Sequence, residues 1–101
     1  MDTEDRRVLR DFLRQSADEL AARLQARHLA AHTVQVKVRY GDFTTLTRQV
    51  SVEEPITEAD EIYRLGCYLM ARHKLVSRPL RLLGLGVHGL IEPAIQQLLL
   101  L

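Results

Sequence analysis

Apolar positions recur at two spacings along the chain, and the switch between them marks its elements. From Thr3 onward, Leu9, Phe12, Leu13, Ala17, Leu20 and Leu24 return every three or four residues. That period predicts an amphipathic helix, capped by Thr3 and ending near Arg27 or His28. Between Thr33 and Tyr40 the period falls to two, with Val34, Val36, Val38 and Tyr40 on one side and Gln35, Lys37 and Arg39 on the other. Such alternation belongs to a half-buried strand. Gly41-Asp42 supplies turn chemistry, so Phe43 to Val52 should return as the second arm of an antiparallel hairpin. Its odd positions, Thr45, Thr47, Gln49 and Ser51, are polar. Pro55 then separates this strand from a second helix, whose start is signalled by Thr57 with Asp60 three residues on, a variant capping box. Ile62, Leu65, Leu69 and Met70 form its apolar stripe, and it should stop near His73 or Lys74, ahead of Pro79. Leu80 to Leu90 reads as a last strand, Leu83, Leu85 and Val87 facing in and Gly84, Gly86 and His88 facing out.

The order helix, strand, strand, helix, strand predicts an α+β fold, a two-layer sandwich in which both helices cover one face of a small antiparallel sheet. The other face would be bare. With 101 residues, 47% of them apolar and 27% charged, the chain holds one domain. Residues 1–91 should form it, followed by a short tail over 92–101. The single cysteine, Cys67, cannot pair within the chain, which fits a reducing, cytoplasmic setting. No membrane partner is expected: the apolar run around Leu82 to Ile91 is broken by glycines and His88, short of the roughly 20 residues a bilayer requires. The polar, acidic start after Met1 is unlike a signal peptide.

Charge is uneven although the net value is only +1. Glu53, Glu54, Glu58, Asp60 and Glu61 fall in one stretch without a base, whereas Arg72, Lys74, Arg78 and Arg81 fall in another without an acid. One end of the molecule is therefore basic, which suits a polyanion and equally an ordinary solvated surface. The bare sheet face would present Gln35, Lys37, Arg39, Thr45, Thr47, Gln49, Gly84, Gly86 and His88. Hydroxyls and amides there can donate to phosphate oxygens, and glycines allow close backbone approach. A protein-interaction or homodimerisation surface is the rival reading of the same face.

Catalytic chemistry finds little support. Gly84-Leu85-Gly86-Val87-His88-Gly89 has dinucleotide-fingerprint spacing, but no helix follows it. His28 and His32 stand four apart with the helix end between them, so no metal site is expected. Cys67 lies mid-helix among apolar neighbours, and no serine occupies a nucleophile elbow. No enzyme activity is expected of this chain.

Tyr40-Gly41-Asp42-Phe43-Thr44-Thr45-Leu46-Thr47-Arg48, reached through a helix with Glu19-Leu20-Ala21-Ala22-Arg23-Leu24, resembles the little finger domain of Y-family DNA polymerases of the bacterial DNA polymerase IV group. Ala59-Asp60-Glu61-Ile62-Tyr63 is similar to that family's second-helix opening, and Pro79 to Leu90 to its last strand. The resemblance implies an accessory domain that grips duplex primer-template DNA by its backbone during lesion bypass, without reading bases. Arg48 and Arg81 fall where the family places basic residues for that backbone, with Lys37, Arg39, Thr45, Thr47, Arg78, Gly84 and Gly86 beside them. The parity of Arg48, however, matches Leu46 and Val50, so an undistorted strand aims it toward the helices.

Gln97-Leu98-Leu99-Leu100-Leu101 is similar to the bacterial sliding-clamp-binding pentapeptide, with Gln97, Leu98, Leu100 and Leu101 at its anchoring positions. Packing of this tail on its own domain is the alternative. The family's domain opens with a strand before the first helix, and that strand is missing here, so the chain reads as a fragment with one sheet edge open to pairing between copies. The palm, fingers and thumb are absent too, so polymerase activity and its magnesium belong to a parent, and no cofactor is expected in this chain.

Overall fold

A computed structural model describes residues 3–93. It comprises α1 (Arg6–Ala26), β1 (Ala30–Tyr40), β2 (Thr45–Ile56), α2 (Ala59–Arg72) and β3 (Leu80–Ile91). The strands form one antiparallel sheet in the order β2-β1-β3, as the α+β reading expected. The core is the strip between this sheet and the two helices. Val34, Val36, Val38 and Tyr40 of β1 are at most 3% exposed and meet Leu9, Leu13, Ala17, Ala21 and Leu24 of α1 and Ile62, Leu69 and Met70 of α2. Phe12, expected inside, is 41% exposed, and Ala21 takes the stripe position instead.

Gly66 lies buried in the middle of α2, where glycine costs about 1 kcal/mol against alanine. A Cβ there would stand 3.1 Å from Leu85 Cδ1 and 3.8 Å from Leu13 Cδ2, so the missing methyl is what brings α2 down onto β3 and α1.

Both helix caps differ from the sequence expectation. Asp5, not Thr3, caps α1 by accepting from the Arg7 N–H at 2.9 Å. Thr3 is drawn away into a bridge with Leu80, exchanging both backbone hydrogen bonds. At α2 the N-cap is Glu58, with no side-chain cap, and the carbonyl of Thr57 accepts instead from Gln25.

The second strand also runs further than expected, through Pro55 to Ile56. β2 is an edge strand, so a residue without an N–H is tolerated. The pairing jumps from Thr33↔Ser51 to Ala31↔Ile56, and the bulge so formed places Pro55 in a local excursion before buried Ile56. His32 Nδ1 fastens this excursion to the Val52 carbonyl at 3.0 Å.

The two sheet edges are finished differently. β2 carries Glu53, Glu54, Pro55 and the bulge, all devices that discourage further strand addition. From Leu82 to Ile91, β3 has no acid, no lysine or arginine and no proline, and among the described residues its outer edge is bridged only at Leu80, by Thr3.

Candidate nucleic-acid interface

The face away from the helices is a grid set by strand register. Lys37 stands between Thr47 and Gly84, Gln35 between Gln49 and Gly86, Arg39 between Thr45 and Leu82, and Thr33 between Ser51 and His88. Rows lie about 6.8 Å apart along the strands and columns about 4.8 Å apart across them. None of these twelve residues is acidic. Arg39 Nε donates to Thr45 Oγ1 at 3.1 Å, and Thr33 and Ser51 share a hydroxyl–hydroxyl bond of 2.8 Å. Lys37 makes no ion pair among the described residues.

The glycines of the grid are not required by the fold. A Cβ on Gly86 would meet nothing within 4 Å, and one on Gly84 only Lys37 atoms at 4.0 Å. Neither has a positive φ. Glycine in a strand interior weakens it, so two of them with open space above suit close approach by something outside the chain.

A second bulge shapes the cationic end. Arg39 pairs with Leu82 but Tyr40 with Leu80, leaving Arg81 as the extra residue. Leu80 can therefore be 1% exposed while Leu82, of the same parity, is 41% exposed on the open face. Arg81 stays exposed, and its guanidinium lies 4.4 Å from the ring centroid of Phe43, a contact that leaves its N–H donors free. Phe43 occupies the hairpin turn at φ 66° and is 61% exposed. Sequence reasoning passed over Phe43 and the bulge; the adjacent Leu82-Leu83 pair, which breaks alternation, was the available signal.

Two of the expected contact residues stand apart from the grid. Arg48 opposes fully buried Val36, so it projects on the helix side of the edge strand, and its Nη1 donates to the Thr47 carbonyl at 2.8 Å. The pairing around it is regular, and no bulge turns it to the open face. Arg78 bonds Asp42 Oδ2 at 3.1 Å and stacks 4.2 Å over the Tyr40 ring, whose hydroxyl donates to the Leu75 carbonyl at 2.6 Å. It braces the turn with its charge already matched. The Asp42 carboxyl is held below its ordinary range, first by the Thr44 backbone N–H and side chain, then by Arg78.

The tail with Gln97, Leu98, Leu100 and Leu101 lies outside the described residues. Among the described residues no three His, Cys, Asp or Glu side chains gather as metal ligands, and no helix is long and apolar enough to cross a membrane.

A small α+β domain with an acid-free grid of twelve paired residues on the sheet face away from the helices is the class that fold and site define. The sequence profile of the impB/mucB/samB family C-terminal domain matches residues 1–100, and the chain belongs to that family, the C-terminal domain of Y-family polymerases. It is 39% identical over 89 residues to a DNA polymerase IV of Halorhodospira halophila, covering 88% of this chain and 25% of that protein. Identity to DNA polymerase IV of Alkalilimnicola ehrlichii is 44% over 75 residues, covering 74% of this chain and 21% of that protein. Against DNA polymerase IV of Dehalococcoides mccartyi identity is 37% over 94 residues, covering 91% and 24%. The chain thus spans about a quarter of the length of these curated relatives.

Proposed function

We propose that the open sheet face holds the sugar-phosphate backbone of duplex primer-template DNA, as a grip for lesion-bypass synthesis whose catalytic residues lie in other domains. The observation that carries this is the pair Gly84 and Gly86, bare where the fold has room for side chains, set beside Lys37, Thr47 and the Arg39–Thr45 pair. Backbone groups, hydroxyls and three cations (Lys37, Arg39 and Arg81) suit phosphates and carry no base preference. Arg48 would join only by snorkelling around the β2 edge.

Titration of labelled duplex at two salt concentrations tests the reading. Three neutralised phosphates give a slope near −2.7 in log K against log salt, so affinity should fall about 40-fold between 50 and 200 mM. Unrelated sequences should bind equally. Binding that ignores salt would instead favour the protein-interface reading.

Two further elements belong to this reading. The tail Gln97 to Leu101 tethers the parent polymerase to a bacterial sliding clamp; deleting Leu98 to Leu101 should abolish clamp binding and spare duplex binding. Copies of the chain pair through the unguarded β3 edge, and light scattering that finds a strict monomer at high concentration would refute that pairing.

A further inference from the structure

The helix layer holds a groove that the sheet-face reading leaves unused. Midway along, α1 and α2 are tied together: Arg14 reaches Asp60 at 2.7 Å and lies 5.4 Å from the Tyr63 ring centroid, beside the close approach at Gly66. Between the first turns of α1 and the last of α2 lies a groove of about 620 Å³. Leu9, Leu13 and Met70 form its floor, and Arg6, Arg10 and Lys74 stand on its rim.

The charge of its rim and the apolar floor define the chemistry of its occupant. Among the described residues no carboxylate lines the groove, and its three cations make no ion pair. The rim therefore calls for anions and the floor for apolar surface. A nucleic-acid backbone would satisfy the first and leave the second wet. An acidic peptide with one large apolar side chain satisfies both, and the volume is of the size that encloses such a group.

We propose that this groove docks an acidic, apolar-anchored peptide segment of a protein partner, the anchor on Leu9, Leu13 and Met70 and the flanking carboxylates on Arg6, Arg10 and Lys74. The groove lies on the helix layer and the grid on the opposite sheet face, so peptide and duplex occupy the domain together.

The probe is a fluorescein-labelled peptide Glu-Asp-Leu-Phe-Asp-Glu, with Gln-Asn-Leu-Phe-Asn-Gln as its uncharged control, titrated into the full chain. The acidic peptide should bind at least tenfold tighter than the control, and should slow maleimide labelling of Cys67, which lines the groove. Arg10→Glu should remove the preference for the acidic form. Ala71→Trp, which fills the groove from an exposed wall position without altering charge, should weaken both peptides tenfold. Circular dichroism and duplex binding, both unchanged, establish that each variant is folded and keep this test separate from that of the sheet face. Absence of binding, equal binding of the two peptides, or unchanged binding to Ala71→Trp overturns the proposal.

Discussion

The two faces of the sheet are written by alternate residues of the same strands, yet they answer to different demands. On the covered face, every β1 side chain from Val34 to Tyr40 is at most 3% exposed, and shape is set by α1 and α2. On the open face, size is unconstrained from within: Gly86 has empty space above it and Lys37 extends into solvent. A residue that could be larger without cost and is not points outward for its explanation. Substitutions should accordingly divide into those that change stability and those that change binding.

The largest effect belongs to the covered face. Ile62→Ala, at a site 0% exposed, should cost about 2–5 kcal/mol in urea unfolding. A smaller loss would mean that the helix layer closes over the gap.

Gly86→Val sharpens the contrast from the other side. It should leave stability unchanged or raise it by about 0.5–1 kcal/mol, as β propensity replaces glycine's entropy. Duplex affinity should nevertheless fall about tenfold, equivalent to 1.4 kcal/mol. Equal affinity would show that nothing approaches the grid closely.

Lys37→Ala is subtler, and its signature is the salt slope, which should become shallower by about 0.9, with the same small loss of affinity on unrelated sequences. A loss confined to one sequence would mean base contacts.

The smallest effect concerns the hairpin turn. Because the Asp42 carboxyl is lowered in the fold, its contribution is fully present above the ordinary aspartate value of about 3.9 and is lost as pH falls through the lower, folded one. Asp42→Asn should therefore flatten the acid limb of Tm below about pH 4, as read by scanning fluorimetry. Parallel acid limbs in variant and parent would mean that the bonds of the Asp42 carboxylate to Thr44 and Arg78 add nothing.

The alternation of Val34 to Tyr40 and the helical spacing from Leu9 to Leu24 were legible because period alone separates strand from helix. So was the sharing of one face by Lys37, Arg39, Thr45, Thr47, Gly84 and Gly86, since these positions alternate with apolar ones along each strand; the register was not, because the turn holds Gly41 to Phe43 rather than Gly41-Asp42 alone, and β2 starts at Thr45 instead of Phe43. Less visible were events that need a partner distant in sequence. Thr3 looked like a cap until Leu80 competed for its backbone, and Pro55 looked like a terminator because β2's place at the edge is decided by β3. Arg78 carried the same formal charge as Arg81, and only the fold brings Asp42 and Tyr40 to one and Phe43 to the other. The helix groove escaped notice for the same reason: Arg6, Arg10 and Lys74 meet only when α1 and α2 lie side by side.

The central strand is completed last. β1 finds β2 across a short turn, but its other neighbour, β3, is paired across 40 residues at Tyr40↔Leu80 and 61 at Ala30↔Ile91. During synthesis the hairpin and α2 therefore emerge while one flank of β1, the most buried strand of the domain, still has unclaimed hydrogen-bonding groups. A nascent chain that has emerged from the tunnel only as far as residue 80 holds a hydrophobic hairpin with an open edge, and such non-local closure makes folding slow relative to a helical domain of equal length. Chaperone capture of nascent chains should accordingly peak just before β3 leaves the exit tunnel and fall once Ile91 is free.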